Sequence, residues 1–227
     1  MKQFKQIIQE GVYDPGIFKA FFLAGGPGSG KTYVTNRATG GMGLKMVNSD
    51  IRFERYLQKA GLSLKMPDSE AAARDPLRQR AKQITGDQMD RYIRGRLGLV
   101  IDATGRDLNV INTQKRMLDQ IGYDSYMIFV NTSLEVALER NQNRPRSIPE
   151  YIVTNSWNGV QSNIGQFQRI FSPNKMLIID NNRSEKELVT QTLGQAAKFI
   201  RGQLNKRPDN YIAKQWIAKE LEAKKRI

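Results

Sequence analysis

The sequence predicts an α/β protein: a three-layer α/β/α P-loop domain on a five-stranded, mostly parallel sheet. Three observations carry this. Five short apolar runs alternate with segments of helical pattern, the signature of parallel strands buried on both faces. A complete phosphate-binding loop, Gly25 to Thr32, lies between the first run and a helix. The second and third runs end near Asp50 and Asp102, at the strand ends where such sheets bind their ligands.

The first strand is expected at about Phe18 to Ala24, followed by the Gly-rich loop and a helix from about Thr32. A second strand follows at about Leu44 to Asn48. Residues Asp68 to Arg96 are polar, Arg-rich and mostly helical in pattern, with Pro76 interrupting or starting a helix. The third strand is Leu97 to Ile101, ending at Asp102. A helix at about Val110 to Ile121 is stopped by Gly122. The fourth strand is Ser125 to Val130, and the next helix starts near Thr132 or Ser133 with Glu135 in its first turn. A helix at about Pro149 to Ile164, a last strand at Met176 to Ile179 and two closing helices complete the order, the final helix at about Tyr211 to Lys225. The expected division is an N-terminal extension over 1–17, the P-loop domain over 18–200 and a basic C-terminal helix over 201–227 packed on it.

The chain has 227 residues and a net charge of +14. Such a surface attracts polyanions, nucleic acid first. There is no cysteine and no histidine. Zinc sites of those ligands and Ser-His-Asp or Cys-His nucleophiles are therefore excluded. A general base must be Asp, Glu, Lys or Tyr. No apolar run suggests a signal peptide or a membrane span, and a cytoplasmic location is expected.

The loop fits G-x-x-x-x-G-K-[ST] in full: Gly25, Gly26, Pro27, Gly28, Ser29, Gly30, Lys31, Thr32. Its glycines let backbone N–H groups turn toward phosphate, and the following helix adds its positive end. Lys31 should reach the β- and γ-phosphates of ATP, and Thr32 should ligate Mg²⁺. Asp50, in MVNSDIR, is placed to take the proton of an acceptor hydroxyl; the other reading is a helix cap from Ser49 or Asp50. Asp102 is placed to bind Mg²⁺ directly or through water, or to serve as a strand-end turn residue. Glu54, Asp107 and Asp124 read as surface. The stretch Glu139 to Arg146 holds three arginines, able to close over a triphosphate or to form a solvated turn.

Four blocks in order, LAGGPGSGKT, VNSD, VIDATGRDLN and ALERNQNRPRSIPEYIV, resemble the kinase domain of bacteriophage-type polynucleotide kinases and, more distantly, the zeta-toxin kinases, over roughly residues 18–180. The resemblance implies ATP as donor with Mg²⁺, and donor contacts from Gly26, Gly28, Ser29, Gly30, Lys31 and Thr32. It implies Asp102 as the acidic residue after the third strand, Asp50 as base, and Arg140 and Arg144 as lid arginines. One position departs from the family, which has an arginine three residues after the base. Here Phe53 stands there, with Arg52 and Arg55 on either side.

These residues lead to the expectation of a kinase acting on a nucleic-acid hydroxyl, DNA favoured: a 5′-hydroxyl end or a hydroxymethylated base. The alternatives are a zeta-toxin-like kinase for a nucleotide sugar and a nucleic-acid-binding P-loop ATPase. Acceptor binding is expected from Arg52, Arg55, Arg78 and Arg80, the last two within a basic stretch of Arg74, Arg78, Arg80, Lys82, Arg91, Arg94 and Arg96. The lysines of the last helix and Arg226 are expected to face water while Ile212, Trp216, Ile217 and Leu221 pack.

Overall fold

The computed structural model describes residues 11–182 and 186–225. Most of the expected N-terminal extension, and Arg226, lie outside these. Five strands form one sheet: β1 (Lys19–Ala24), β2 (Lys45–Val47), β3 (Leu99–Asp102), β4 (Asp124–Asn131) and β5 (Met176–Asp180), in the order β2-β3-β1-β4-β5. Every pairing is parallel. All carboxyl ends therefore fall on one edge, and the register that sets Leu23 opposite Asp102 brings the end of β3 beside the start of the phosphate loop.

The nine helices among the described residues are α1 (Lys31–Ala38), α2 (Ser49–Lys59), α3 (Ala71–Arg94), α4 (Leu108–Gln120), α5 (Leu134–Gln142), α6 (Glu150–Ser162), α7 (Ile164–Phe171), α8 (Lys186–Leu204) and α9 (Tyr211–Lys225). Alternation along β1 assigns them to two layers. Ala20, Phe22 and Ala24 face a core completed by Ile111 and Leu118 of α4, Phe167 and Phe171 of α7, and Ala213 and Ile217 of α9. Phe21 and Leu23 face a second core with Val34 and Ala38 of α1 and Ala196 and Ile200 of α8. Each large apolar side chain buried this way contributes about 1.5–3 kcal/mol, so β1, buried along its whole length, is the axis of the molecule.

Three differences from the sequence expectation have physical reasons. Residues 71–94 form one helix with Pro76 inside it. Pro76, which has no N–H to give the Ala72 carbonyl, and Ala72 are both exposed, so the missing bond falls where the backbone is open to solvent. The helix expected to reach Ile164 ends at Ser162, and α7 follows at once: Asn163 ends one and starts the other, its amide held by the carbonyls of Gly105 and Arg106. Asp124 is not on the surface. It is buried, accepting from Lys175 Nζ and the Asp209 N–H.

A smaller core sits apart, beside the β2 edge. Phe53 and Leu57 of α2 pack on Ala81 of α3, with Tyr56, Leu62, Leu64, Met66 and Leu77 around them. This two-helix unit flanks the carboxyl edge of the sheet. In α9, Ala213 and Ile217 are buried while Lys214, Lys219, Lys224 and Lys225 are exposed. No described helix is long and apolar enough to cross a membrane.

Candidate active site

The loop from Gly25 to Gly30 turns sharply. Gly28 and Gly30 have φ of 80° and 84°, a region costly for residues with a Cβ. Space forbids a Cβ as well: at Gly28 it would lie 2.2 Å from the Ala137 carbonyl oxygen, and at Gly30 2.4 Å from Asn181 Nδ2. Trp157 of α6 covers Gly26, its indole N–H donating to the Thr132 carbonyl. The α1 helix begins at Lys31 with no side-chain cap and no acidic residue in its first turn. Its first N–H groups and positive end are thus open to an anion. Ser29 is buried in the loop, and its Oγ has no hydrogen-bond partner.

Lys31 and Thr32 stand at the mouth of this loop. Lys31 Nζ approaches the Gly26 carbonyl at 3.5 Å. Burial pushes its ammonium pKa down, opposed by the charges of Asp102 and Asp50. Thr32 Oγ1 donates to Asp102 Oδ2 at 3.3 Å. The same oxygen accepts from Asn48 Nδ2 at 2.6 Å. Burial pushes the Asp102 carboxyl up, opposed by Lys31. Each group's charge opposes the effect of burial on the other.

Asn48 has a second role: its Oδ1 accepts from the Asp50 N–H at 2.7 Å, which makes it the N-cap of α2. The cap expected of Ser49 or Asp50 belongs to Asn48 instead, and the Asp50 side chain is left for other work. Arg146 Nη2 donates to Asp50 Oδ2 at 2.9 Å, and Arg78 Nη1 lies 3.4 Å from Oδ1. Burial pushes the Asp50 carboxyl up, but Arg146, Arg78 and Lys31 outweigh it and hold the group below its ordinary range. Asp50 is a carboxylate at neutral pH.

The remaining basic positions separate. Arg140 Nη1 donates to the Asn181 carbonyl at 2.7 Å, and Asn181 Nδ2 donates to the Ser29 carbonyl at 2.7 Å. Arg140 thus braces the phosphate loop through Asn181. Arg144 contributes charge toward Lys31 and Asp102. Arg78 is stacked over Phe53, 4.9 Å from the ring centroid. Arg52 donates to Gln88, Arg55 is exposed, and Arg80 stacks over Tyr56. It is therefore Arg78, from α3, that stands beside Asp50 where Phe53 cannot serve. Of the rest of the basic stretch, Arg74 binds the carbonyls of Met66 and Pro67, and Arg96 stacks on Trp216. Arg74 and Lys82, four residues before and after Arg78 on α3, lie on the same side of that helix, while Arg96 follows the helix and packs on the main core. Glu54, expected at the surface, meets Arg146, and Asp107 caps α4.

Asn48 and Asn181 were not singled out from sequence, whereas Arg146 was read as one of three arginines able to close over a triphosphate and meets Asp50 and Glu54 instead. A local signal existed for Asn48, an Asn directly ahead of a helix.

The residues present fit a triphosphate with Mg²⁺: an uncapped helix end, an orphaned hydroxyl in the loop, and a Thr–Asp pair sharing one hydrogen bond. Among the described residues no group of three or more acidic side chains gathers, so such a cation would rest on Thr32, Asp102 and phosphate oxygens.

No curated protein matches the sequence. Among solved structures, the chain is similar to a candidate kinase from Chloroflexus aurantiacus (TM-score 0.56, 16% identity, covering 82% of this chain and 98% of that one). It is also similar to a chain of the PezAT toxin–antitoxin system of Streptococcus pneumoniae (TM-score 0.52, 14% identity, 82% and 87%). A third is shikimate kinase from Acinetobacter baumannii in complex with shikimate (TM-score 0.51, 16% identity, 86% and 100%). At these identities the likeness is one of fold. The family model described as an AAA domain, AAA_33, matches residues 21–166. The chain belongs to this AAA-domain family and has the α/β fold of a P-loop kinase.

Proposed function

We propose that this P-loop phosphotransferase moves the γ-phosphate of ATP to an alcohol hydroxyl, with Asp50 as general base. The observation that carries the reading is the placing of two carboxylates around Lys31. Asp102 is tied to the P-loop Thr32, and Asp50 is set apart from it by the Asn48 cap. The first belongs to the donor side and the second to the acceptor side. Mg²⁺ held at Thr32 and Asp102 would neutralise charge on the phosphates. Lys31 would hold the β- and γ-phosphates. The acceptor O–H gives its proton to Asp50 as its oxygen bonds to the γ-phosphorus. The bond to the β,γ-bridging oxygen breaks, and ADP leaves with that electron pair.

For the acceptor we favour nucleic acid, because the chain carries a net charge of +14 and its blocks resemble the polynucleotide and zeta-toxin kinases. A small-molecule alcohol is the second reading. It is favoured because Arg78 alone of the basic stretch is paired with Asp50 among the described residues.

Transfer from γ-labelled ATP to a panel of acceptors tests both. The panel holds 5′-hydroxyl DNA and RNA oligonucleotides, duplex DNA with hydroxymethyl bases, nucleotide sugars, shikimate and gluconate. Labelled product on any of them supports the kinase. Labelled phosphate released at one rate whatever the acceptor would replace it with an ATPase.

A further inference from the structure

Asp50 lies in the first turn of α2 with its side chain 42% exposed. Packing does not lock such a side chain, and more than one staggered χ1 well is open to it. A specific contact must therefore set its direction. Among the described residues its side chain makes one hydrogen bond, from Arg146 Nη2 to Oδ2 at 2.9 Å. Arg146 is itself held. Its side chain is 12% exposed, and its Nε pairs with Glu54 Oε1 at 2.7 Å, one helical turn beyond Asp50 on the same face. Two residues later the loop is stapled to α5. Asn141, buried there, donates from Nδ2 to the Ile148 carbonyl at 2.8 Å and accepts the Ile148 N–H at 3.1 Å.

The two oxygens of Asp50 are thereby made unlike. Oδ2 is bound by a nearly buried guanidinium. Oδ1 lies 3.4 Å from Arg78 Nη1, an ion pair and not a hydrogen bond, and the Arg78 side chain is 40% exposed. Oδ1 thus keeps its lone pairs for a hydroxyl arriving from solvent. The other two arginines of the segment do different work. Arg140 braces the phosphate loop through Asn181, and Arg144 is exposed.

Resting on the kinase reading above, we infer that Arg146 is the positioning residue of the base: anchored on Glu54, it holds Asp50 by Oδ2 in one rotamer and leaves Oδ1 to take the acceptor proton. That proton passes to Oδ1 as the acceptor oxygen bonds to the γ-phosphorus and the β,γ-bridging oxygen leaves with its electron pair. Such a transfer needs a heavy-atom distance of about 2.6–3.2 Å, and a misplacement of about 1 Å costs about a hundredfold in rate. A change of χ1 well moves a carboxylate further than that. The charged groups around Asp50 are Arg146 from the loop, Arg78 from α3, Lys31 from α1 and Asp102 from β3, with Glu54 on its own helix. Burial pushes the Asp50 carboxyl up, and Arg146 leads the groups that draw it down. Loss of Arg146 therefore lets the carboxyl rise as well as turn.

The test uses the full chain and the variants Arg146→Met, Arg146→Lys and Glu54→Gln. The Asp50 and Glu54 side chains are 42% and 38% exposed, so removing Arg146 strands no buried charge and the fold should survive. In the ligand-free protein, three-bond couplings across Asp50 χ1 should show one rotamer in the wild type and averaging in Arg146→Met. Transfer is then measured with ATP and Mg²⁺ to a 5′-hydroxyl DNA oligonucleotide and to the other acceptors of the panel above. Arg146→Met should lose about a hundredfold in kcat with KM for ATP within about twofold, and the acid limb of its kcat should move to higher pH. Arg146→Lys, a point charge in place of a fork, should restore the limb but only part of the rate. Glu54→Gln, which keeps Arg146 and loosens it, should lose about three- to tenfold in kcat. An averaged Asp50 in the wild type, a single rotamer in Arg146→Met, or an Arg146→Met kcat within about threefold of wild type overturns the inference while the kinase stands. Couplings as expected but no transfer by the wild type to any acceptor of the panel overturns the kinase reading, and the catalytic role of Arg146 with it.

Discussion

Replacing Asp50 by Asn separates its chemical role from its structural one. The substitution keeps the shape and removes the charge. Two ion pairs are lost or weakened, to Arg146 at 2.9 Å and to Arg78 at 3.4 Å. The Asp50 side chain is 42% exposed, so solvent screens both, and each is worth about 1 kcal/mol or less. Arg146 keeps Glu54 and Arg78 keeps the face of Phe53. The Asn48 cap binds the Asp50 backbone N–H and is untouched. Stability should therefore fall by no more than about 2 kcal/mol, a loss the fold survives. Loss of a general base costs about 10²- to 10⁴-fold in rate, or roughly 3–5 kcal/mol of barrier. The chemical effect should exceed the structural one. ATP affinity should stay level or tighten, because a negative charge near Lys31 has gone. The assay pairs single-turnover transfer with equilibrium binding of a fluorescent ATP analogue. Transfer within about tenfold of wild type would remove Asp50 from the chemistry, and ATP affinity weakened by more than about tenfold would assign it to the donor site.

Lys31→Ala should lower kcat by about a thousandfold or more with the fold intact by circular dichroism; activity above about a tenth of wild type contradicts the P-loop role. Asn181→Ala leaves the buried Ser29 carbonyl without its donor and should cost about 1–3 kcal/mol in urea denaturation, with weaker ATP binding; an unchanged midpoint would mean that the loop holds its shape unaided. Stability should also show an alkaline maximum. Burial pushes Lys19 down to about 8 from an ordinary value of 10.5. Above pH 8 the unfolded chain binds the extra proton, so stability climbs with pH until the unfolded lysine titrates too, by on the order of 1–3 kcal/mol. Burial pushes Tyr123 and Tyr126 up from 10.0, so the unfolded state loses those protons first and stability declines above about pH 10. Denaturation midpoints from pH 7 to 11 check this, and Lys19→Met should abolish the climb.

The shape of the phosphate loop was legible in the sequence, because the P-loop is contiguous: eight neighbouring residues encode a turn in which Gly25, Gly28 and Gly30 have a positive φ that favours glycine. The strands were legible as apolar runs, since a parallel strand is buried on both faces. The surroundings of Asp50 and the brace of the phosphate loop were not, because their contacts cross long stretches of chain. Arg146 and Asp50 are 96 residues apart, and Asn181 and Ser29 are 152 apart. Arg52 and Arg55 looked like neighbours of Asp50 in sequence, but helix phase decides otherwise. Glu54, four residues on, shares its face, while Arg52 turns to Gln88. Asp124 misled for a related reason: its burial is created by the segment around Asp209, 85 residues later.

The all-parallel sheet separates two kinds of ionisable group by the length of a strand. Lys31, Asp102 and Asp50 gather at the carboxyl edge. Lys19, the first residue of β1, lies with its register partner Asp124 at the amino edge, its Nζ donating to the Gln203 carbonyl. Six residues of β1 span roughly 20 Å. At an effective dielectric of about 20, unit charges that far apart interact by less than about 1 kcal/mol. A proton gained or lost at Lys19 is therefore nearly silent at the phosphate loop. The protein has a titration that reports on folding and another that reports on chemistry, and an experimenter can tune the first at the amino edge without disturbing the second.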